Sequence, residues 1–184
     1  MPASRNSRVR KLVILAMLIA LTVVLSFLKT PPMFGFLQYD ASGAIVLLAA
    51  LLFGPIEGIV VAVLAGFIRL LFPGIGAQFG VMMDIIAYLA LVIPAGFLFQ
   101  RFRKHLSGQL VALIIGVVCM VIMMIVANIV LTPPLSTRVL GYTITRAAVI
   151  KMILPAFLPF NVLKAAANSA LAFMLYKALA RFVF

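Results

Sequence analysis

The chain has 184 residues, 66% hydrophobic and 10% charged, and its mean hydropathy of +1.32 excludes a soluble domain, where about a quarter of residues are charged. Fifteen Lys and Arg stand against three acids, Asp40, Glu57 and Asp84, for a net charge of +12. In so apolar a chain that excess belongs to loops and termini rather than to nucleic-acid contact.

The opening MPASRNSRVRK is basic and leads into an apolar stretch at 12–28. No small-residue cleavage site precedes polar sequence, so this stretch reads as a retained first helix. Further apolar segments fall at 41–53, 58–72, 79–100, 109–131 and 155–178. Between them lie KTPPMFGFLQYD (29–40), GPIEG (54–58), FPGIGAQ (72–78), RFRKHLSG (101–108) and LTPPLSTRVLGYTITRAAVIK (131–151). The second and third segments are shorter than the roughly 20 residues of a span, so they are two tilted spans or a re-entrant pair.

Charge decides between these. Six spans put nine bases on the side of both termini, at Arg5, Arg8, Arg10, Lys11, Arg101, Arg103, Lys104, Lys177 and Arg181. Five fall opposite, at Lys29, Arg69, Arg138, Arg146 and Lys151. A re-entrant pair would move the 101–104 cluster outside, against the positive-inside rule. The expectation is an all-α integral membrane protein, one domain over 1–184, with six transmembrane helices and both termini cytoplasmic. Loops 29–40 and 131–154 then lie outside, each with a Pro-Pro step and aromatics (Phe34, Phe36, Tyr39; Tyr142). Such long loops serve as lids or as plain linkers.

The sixth segment, LPAFLPFNVLKAAANSALAF (154–173), carries Asn161, Lys164 and Asn168 on one helical face. Lys164 lies about six residues inside the membrane, roughly 8–9 Å deep at about 1.5 Å per residue. Asp84 sits at similar depth on the fourth segment, and Asn128 is close to the outer end of the fifth. Costly polar groups converging at one level point to an outward-facing pocket. They fit equally a buried Asp84–Lys164 ion pair with amides bonding between helices, or a snorkelling lysine. Tyr39 and Asp40, at the foot of the first outer loop, suit cap and interface roles as well as ligand contact. Ala16 and Ala20 form a small-xxx-small pair that permits close helix approach. Gly54 and Gly58 match GxxxG only at a turn, and His105 reads as a solvated loop residue.

Several chemistries have no carrier here. The lone Cys119 allows no internal disulfide, and no metal-ligand spacing accompanies it. GxxxxGK[ST], HExxH and GxSxG do not occur, and there is one His, so neither an enzyme, a metal site nor a Walker ATPase is expected. Three acids are few for a proton- or sodium-coupled carrier.

LVILAMLIALTVVL with its AxxxA spacing, QYDASGAIVLLAALLFGPIEGIVVAVLAG, and ILPAFLPFNVLKAAANSALAFMLYK together resemble the substrate-binding S components of energy-coupling factor (ECF) vitamin transporters. The last stretch is similar to the PFN-x-x-K signature of the riboflavin-specific branch. The resemblance covers nearly everything from Lys11 to Lys177. It implies a six-helix fold whose outward-facing vitamin site is closed by the loop between helices one and two. It further implies that Asn161 and Lys164 contact the vitamin, riboflavin by preference, with Asn128 in the helix-five asparagine position. Ala16 and Ala20 would dock on a transmembrane T component served by two ATPase subunits, in a prokaryotic plasma membrane. The vitamin is then cargo rather than cofactor. Asp84 stands where riboflavin-type sequences tend to have a neutral residue, and Asn168 extends the polar stripe. A carboxylate there favours a cationic vitamin such as pyridoxamine, or simply neutralises Lys164. Alternatives are an S component for pyridoxine, cobalamin or pantothenate, a stand-alone secondary carrier, a ligand-free assembly subunit and an intramembrane enzyme.

Overall fold

A computed structural model describes residues 5–34, 37–72, 77–141 and 143–183. Phe36, Tyr142 and residues 73–76 of the FPGIGAQ turn lie outside the described residues. The helices are α1 (Arg5–Phe27), α2 (Ser42–Phe53), α3 (Pro55–Leu70), α4 (Ala77–Arg101), α5 (Leu106–Leu135), α6 (Arg146–Met152) and α7 (Leu158–Val183). Among the described residues no strand forms; Met33 and Leu37 make an isolated antiparallel bridge within the α1–α2 loop.

SGAIVLLAALLF is apolar on every side, the pattern of a helix surrounded by protein. Accordingly α2 occupies the centre, with eleven of its twelve residues buried among α1, α3, α4 and α7. Gly54, at φ 126°, lets the chain leave α2 and enter α3 within one residue, and Pro55 takes the first turn of α3, where no N–H partner is needed. Gln100 Nε2 donates to the carbonyls of Ala50 and Leu51 at 3.2 and 3.0 Å, adding to the Gly54 N–H bond on Ala50 and tying α4 to the last turn of α2. Lys11 pairs with Glu57 and ties α1 to the start of α3.

The expected loop 131–154 is largely helical. Helix α5 runs on to Leu135 through Pro133 and Pro134 and ends in a π-helical turn at Ser136–Leu140. Ser136 Oγ donates to the Pro133 carbonyl at 3.0 Å; a wide turn with a hydroxyl partner is how membrane helices accommodate proline. Thr145 then caps α6, its hydroxyl accepting from Ala148 N at 3.3 Å. A second π-helical turn at Ile153–Phe157 joins α6 to α7.

Four stretches are long and apolar enough to cross a bilayer: Arg8–Phe27, Gln78–Arg101, Leu106–Arg138 and Arg146–Arg181. Helices α2 and α3, of 12 and 16 residues, measure roughly 18 and 24 Å at about 1.5 Å per residue, less than the ~30 Å hydrocarbon core. Large apolar side chains such as Met17 and Val24 on α1 and Ile114 and Ile122 on α5 are exposed, a coat suited to lipid rather than water.

Candidate functional site

The α1–α2 loop is strapped at its base. Thr30 N donates to the Tyr39 carbonyl at 2.9 Å, and Tyr39 N donates to Thr30 Oγ1 at 3.0 Å. Tyr39 then reaches inward, its hydroxyl donating to Asn168 Oδ1 on α7 at 3.0 Å. Burial, reinforced by the Asp40 carboxylate, holds the Tyr39 phenol above its ordinary value against the opposing effect of Lys164. Asp40 Oδ1 accepts from Ser42 N at 3.0 Å and from the Ser42 hydroxyl, an Asx-type turn that starts α2. The Ser42 and Tyr88 hydroxyls share a hydrogen bond of 2.6 Å. The loop is thereby fastened to α2, α4 and α7 at once.

Between this strap and the ends of α3 to α7 lies a cavity of about 670 Å³. Leu37, Gln38 and Asp40 form its roof, with Ser26, Phe27 and Lys29 beside them. Met83, Met124, Phe157 and Phe160 supply apolar wall, and Asp84, Asn128, Thr132, Asn161 and Lys164 the polar wall. The volume falls in the range of roughly 300–1,000 Å³ typical of small-molecule sites, and a few polar groups on apolar walls is their usual composition.

Five expected site residues, Asp40, Asp84, Asn128, Asn161 and Lys164, line this one cavity. Asn161 Nδ2 donates to the Phe157 carbonyl at 2.7 Å. Asn128 Nδ2 donates to the Met124 carbonyl at 2.7 Å, and its Oδ1 accepts from Thr132 at 3.3 Å. Both amides are held in one orientation by their own helices. Tyr39 and Asn168 are not on the wall. Asn168 is fully buried against Gly43, where a side chain on that glycine would sit 2.5 Å from Asn168 Nδ2. The shared face of 161, 164 and 168 is real, but its last member lies behind the loop's anchoring tyrosine. Ala16 and Ala20 are exposed on α1, away from the cavity.

The charged groups differ from expectation in one respect. Asp84 and Lys164 form the ion pair that the sequence left as one reading among others, Lys164 Nζ donating to Oδ1 at 2.7 Å. Arg69, read from sequence as an outer-loop charge, is instead buried and donates from Nη2 to Asp84 Oδ2 at 2.8 Å. Helices α3 and α4 pack closely, which brings the end of one against the start of the next. Lys164 also lies over the Tyr88 ring, 5.7 Å from its centroid, a cation–π geometry. With 6% of its surface exposed, Lys164 does not snorkel. Lys164 thus lines the cavity with its ammonium held by Asp84.

Residues 10–176 match the protein family described as ECF transporter, substrate-specific component. Among curated proteins, the chain is 30% identical over 162 residues to the riboflavin transporter FmnP of Bacillus subtilis (strain 168), covering 85% of each. It is 28% identical over 176 residues to the riboflavin transporter RibU of Staphylococcus aureus (strain TCH60), covering 95% of this chain and 92% of that one. Its fold superposes on a solved S component of a bacterial ECF transporter with a TM-score of 0.80 at 26% identity, covering 96% of this chain and 98% of the other. With the family matched along nearly its whole length, the chain belongs to the substrate-specific components of ECF transporters.

Proposed function

We propose that this chain captures riboflavin from outside the cell and delivers it inward as the S component of an ECF importer. The cavity beneath the α1–α2 loop carries this reading: it has the size of a small-molecule site and places Asn128, Asn161 and Lys164 on one wall. A flavin offers what that wall asks for. Its ring edge alternates carbonyl acceptors with an imide N–H, matching amides and an ammonium. Its fused rings suit walls of Met83, Met124, Phe157 and Phe160, and its ribityl hydroxyls suit the polar groups of Lys29, Gln38 and Asp40 under the α1–α2 loop. Both curated relatives named above are riboflavin transporters. A cationic vitamin has less support, because both oxygens of Asp84 are already engaged by cations within the protein.

In this reading six helices cross the plasma membrane of a prokaryote with both termini inside, and the α1–α2 loop closes over bound vitamin. The exposed Ala16–Ala20 face of α1 docks on a T component, small residues allowing backbones to approach. Two ATPase subunits supply the energy for reorientation in the bilayer. The test is the absorbance spectrum and the extracted small-molecule content of the protein purified in mild detergent, followed by flavin titration. A co-purifying flavin that denaturation releases and riboflavin displaces is the expected result; a different vitamin in the cavity, or a panel of vitamins without binding, would overturn the assignment.

A further inference from the structure

Of the five charged side chains that line the cavity among the described residues, three are basic, Lys29, Arg69 and Lys164, and two acidic, Asp40 and Asp84. Asp40 accepts through Oδ1 from Ser42 N and the Ser42 hydroxyl and keeps its negative charge. The other acid, Asp84, divides its two oxygens between two cations, Arg69 at 2.8 Å and Lys164 at 2.7 Å. Two cations on one anion give this triad one net positive charge, and with Asp40 and Lys29 counted the lining as a whole also carries one. Without Arg69, the pair that remained would be neutral, and Asp84 would draw on Lys164 with both oxygens.

We propose that Arg69 is a positioning residue that sets the charge of the cavity: by saturating one oxygen of Asp84 it keeps the wall net positive and leaves Lys164 donors for an acceptor-rich, uncharged or anionic ligand. This rests on the ligand-binding reading above. Arg69 lines the cavity with its Nη2 bound to Asp84, and its effect as a positioning residue is electrostatic and follows the charge of the triad; a direct contact with the ligand would instead leave the double variant as weak as Arg69→Gln. The triad carries one positive charge with Arg69 present, none in Arg69→Gln, and one again in the double variant Arg69→Gln/Asp84→Asn. Arg69→Lys retains it. One unit charge acting on the partial charge of a carbonyl oxygen about 6 Å away, at an effective dielectric near 20, changes affinity about tenfold.

The experiment is riboflavin titration of the detergent-purified protein and these three variants. Arg69→Gln should weaken binding about tenfold, the double variant should return to within about threefold of the unaltered protein, and Arg69→Lys should stay within about threefold. If Arg69 served only to pack or brace the helices, the double variant would bind as weakly as Arg69→Gln or more so, and that result overturns the proposal. An unchanged affinity in Arg69→Gln overturns it too. A ligand-free readout runs beside the titration: the rate at which the anionic amine reagent trinitrobenzenesulfonate modifies Lys164, followed by peptide mass spectrometry. That rate should fall in Arg69→Gln and stay near the unaltered value in Arg69→Lys; an unchanged or faster rate in Arg69→Gln contradicts the proposal. Failure of the unaltered protein to bind riboflavin would sink the functional reading, and the labelling order would still decide the role of Arg69. Should Arg69→Gln not fold, Arg69→Met, which keeps the length of the side chain without its charge, takes its place with the same expected loss and the same refuting result.

Discussion

Replacing Asp84 with Asn keeps the side chain's shape and removes the one anion that two buried cations share. Both hydrogen bonds to its oxygens, 2.8 and 2.7 Å, are charge-assisted, and Arg69 and Lys164 each expose only 7% of their side chains, Asp84 14%. Water therefore does little to replace the lost partner. Breaking a buried pair by removing one member costs about 3–5 kcal/mol. The substituted amide would still offer one acceptor oxygen, which places the loss near the lower end, about 3 kcal/mol. For a chain of this size 1 kcal/mol moves the midpoint by roughly 2–4 °C, so Asp84→Asn should lower Tm by roughly 6–12 °C. The chain has no Trp and a single Cys, so unfolding is followed with a maleimide dye that reports exposure of the half-buried Cys119. A midpoint within about 2 °C of the unaltered protein would refute the argument that Asp84 is the necessary counter-ion of the site.

Two further perturbations separate the cavity from the rest of the molecule. Lys164→Ala leaves Asp84 and Arg69 as a balanced pair, so it should weaken riboflavin binding about 10- to 100-fold, the worth of a charged hydrogen bond, while shifting Tm less than Asp84→Asn; unchanged affinity in a titration would remove Lys164 from the site. A bulky residue at either exposed alanine of α1, Ala16→Phe or Ala20→Phe, should abolish co-purification with the T component and uptake in vesicles yet spare riboflavin affinity in detergent. Loss of binding in detergent would show instead that this face of α1 supports the cavity.

Much of the fold is written in local pattern. The apolar run 41–53 was legible as a helix and GPIEG as the turn that ends it, because each is a property of a few adjacent residues, whereas the helix's central place among α1, α3, α4 and α7 was not. The convergence of Asp84, Asn128, Asn161 and Lys164 was legible as well, since depth along a helix follows from counting residues. What local pattern hides are features that depend on a neighbour. Pro133–Pro134 reads as a helix stop, yet a π-helical turn and the Ser136 hydroxyl carry the helix past it. Helix α6 has seven residues, too few for a hydrophobic period to show. Arg69 looked interfacial because it ends an apolar segment, and only the close packing of α3 on α4 turns it toward the sole acid of α4. The available signal was that acid: a lone carboxylate in an apolar helix, one turn-and-return away from a base, needs counter-ions. Asn168 shared the right face, but the α1–α2 loop decides what occupies its front, and loop conformation is set by its straps at Thr30 and Tyr39 rather than by periodicity.

The central claim is that the cavity beneath the α1–α2 loop holds a flavin, and quenching of riboflavin fluorescence on titration with the purified, ligand-stripped protein tests it most directly. Saturable quenching at one riboflavin per chain, weakened in Lys164→Ala, is the predicted result. Absence of saturable quenching with folded protein, or equal quenching by Lys164→Ala, would contradict it.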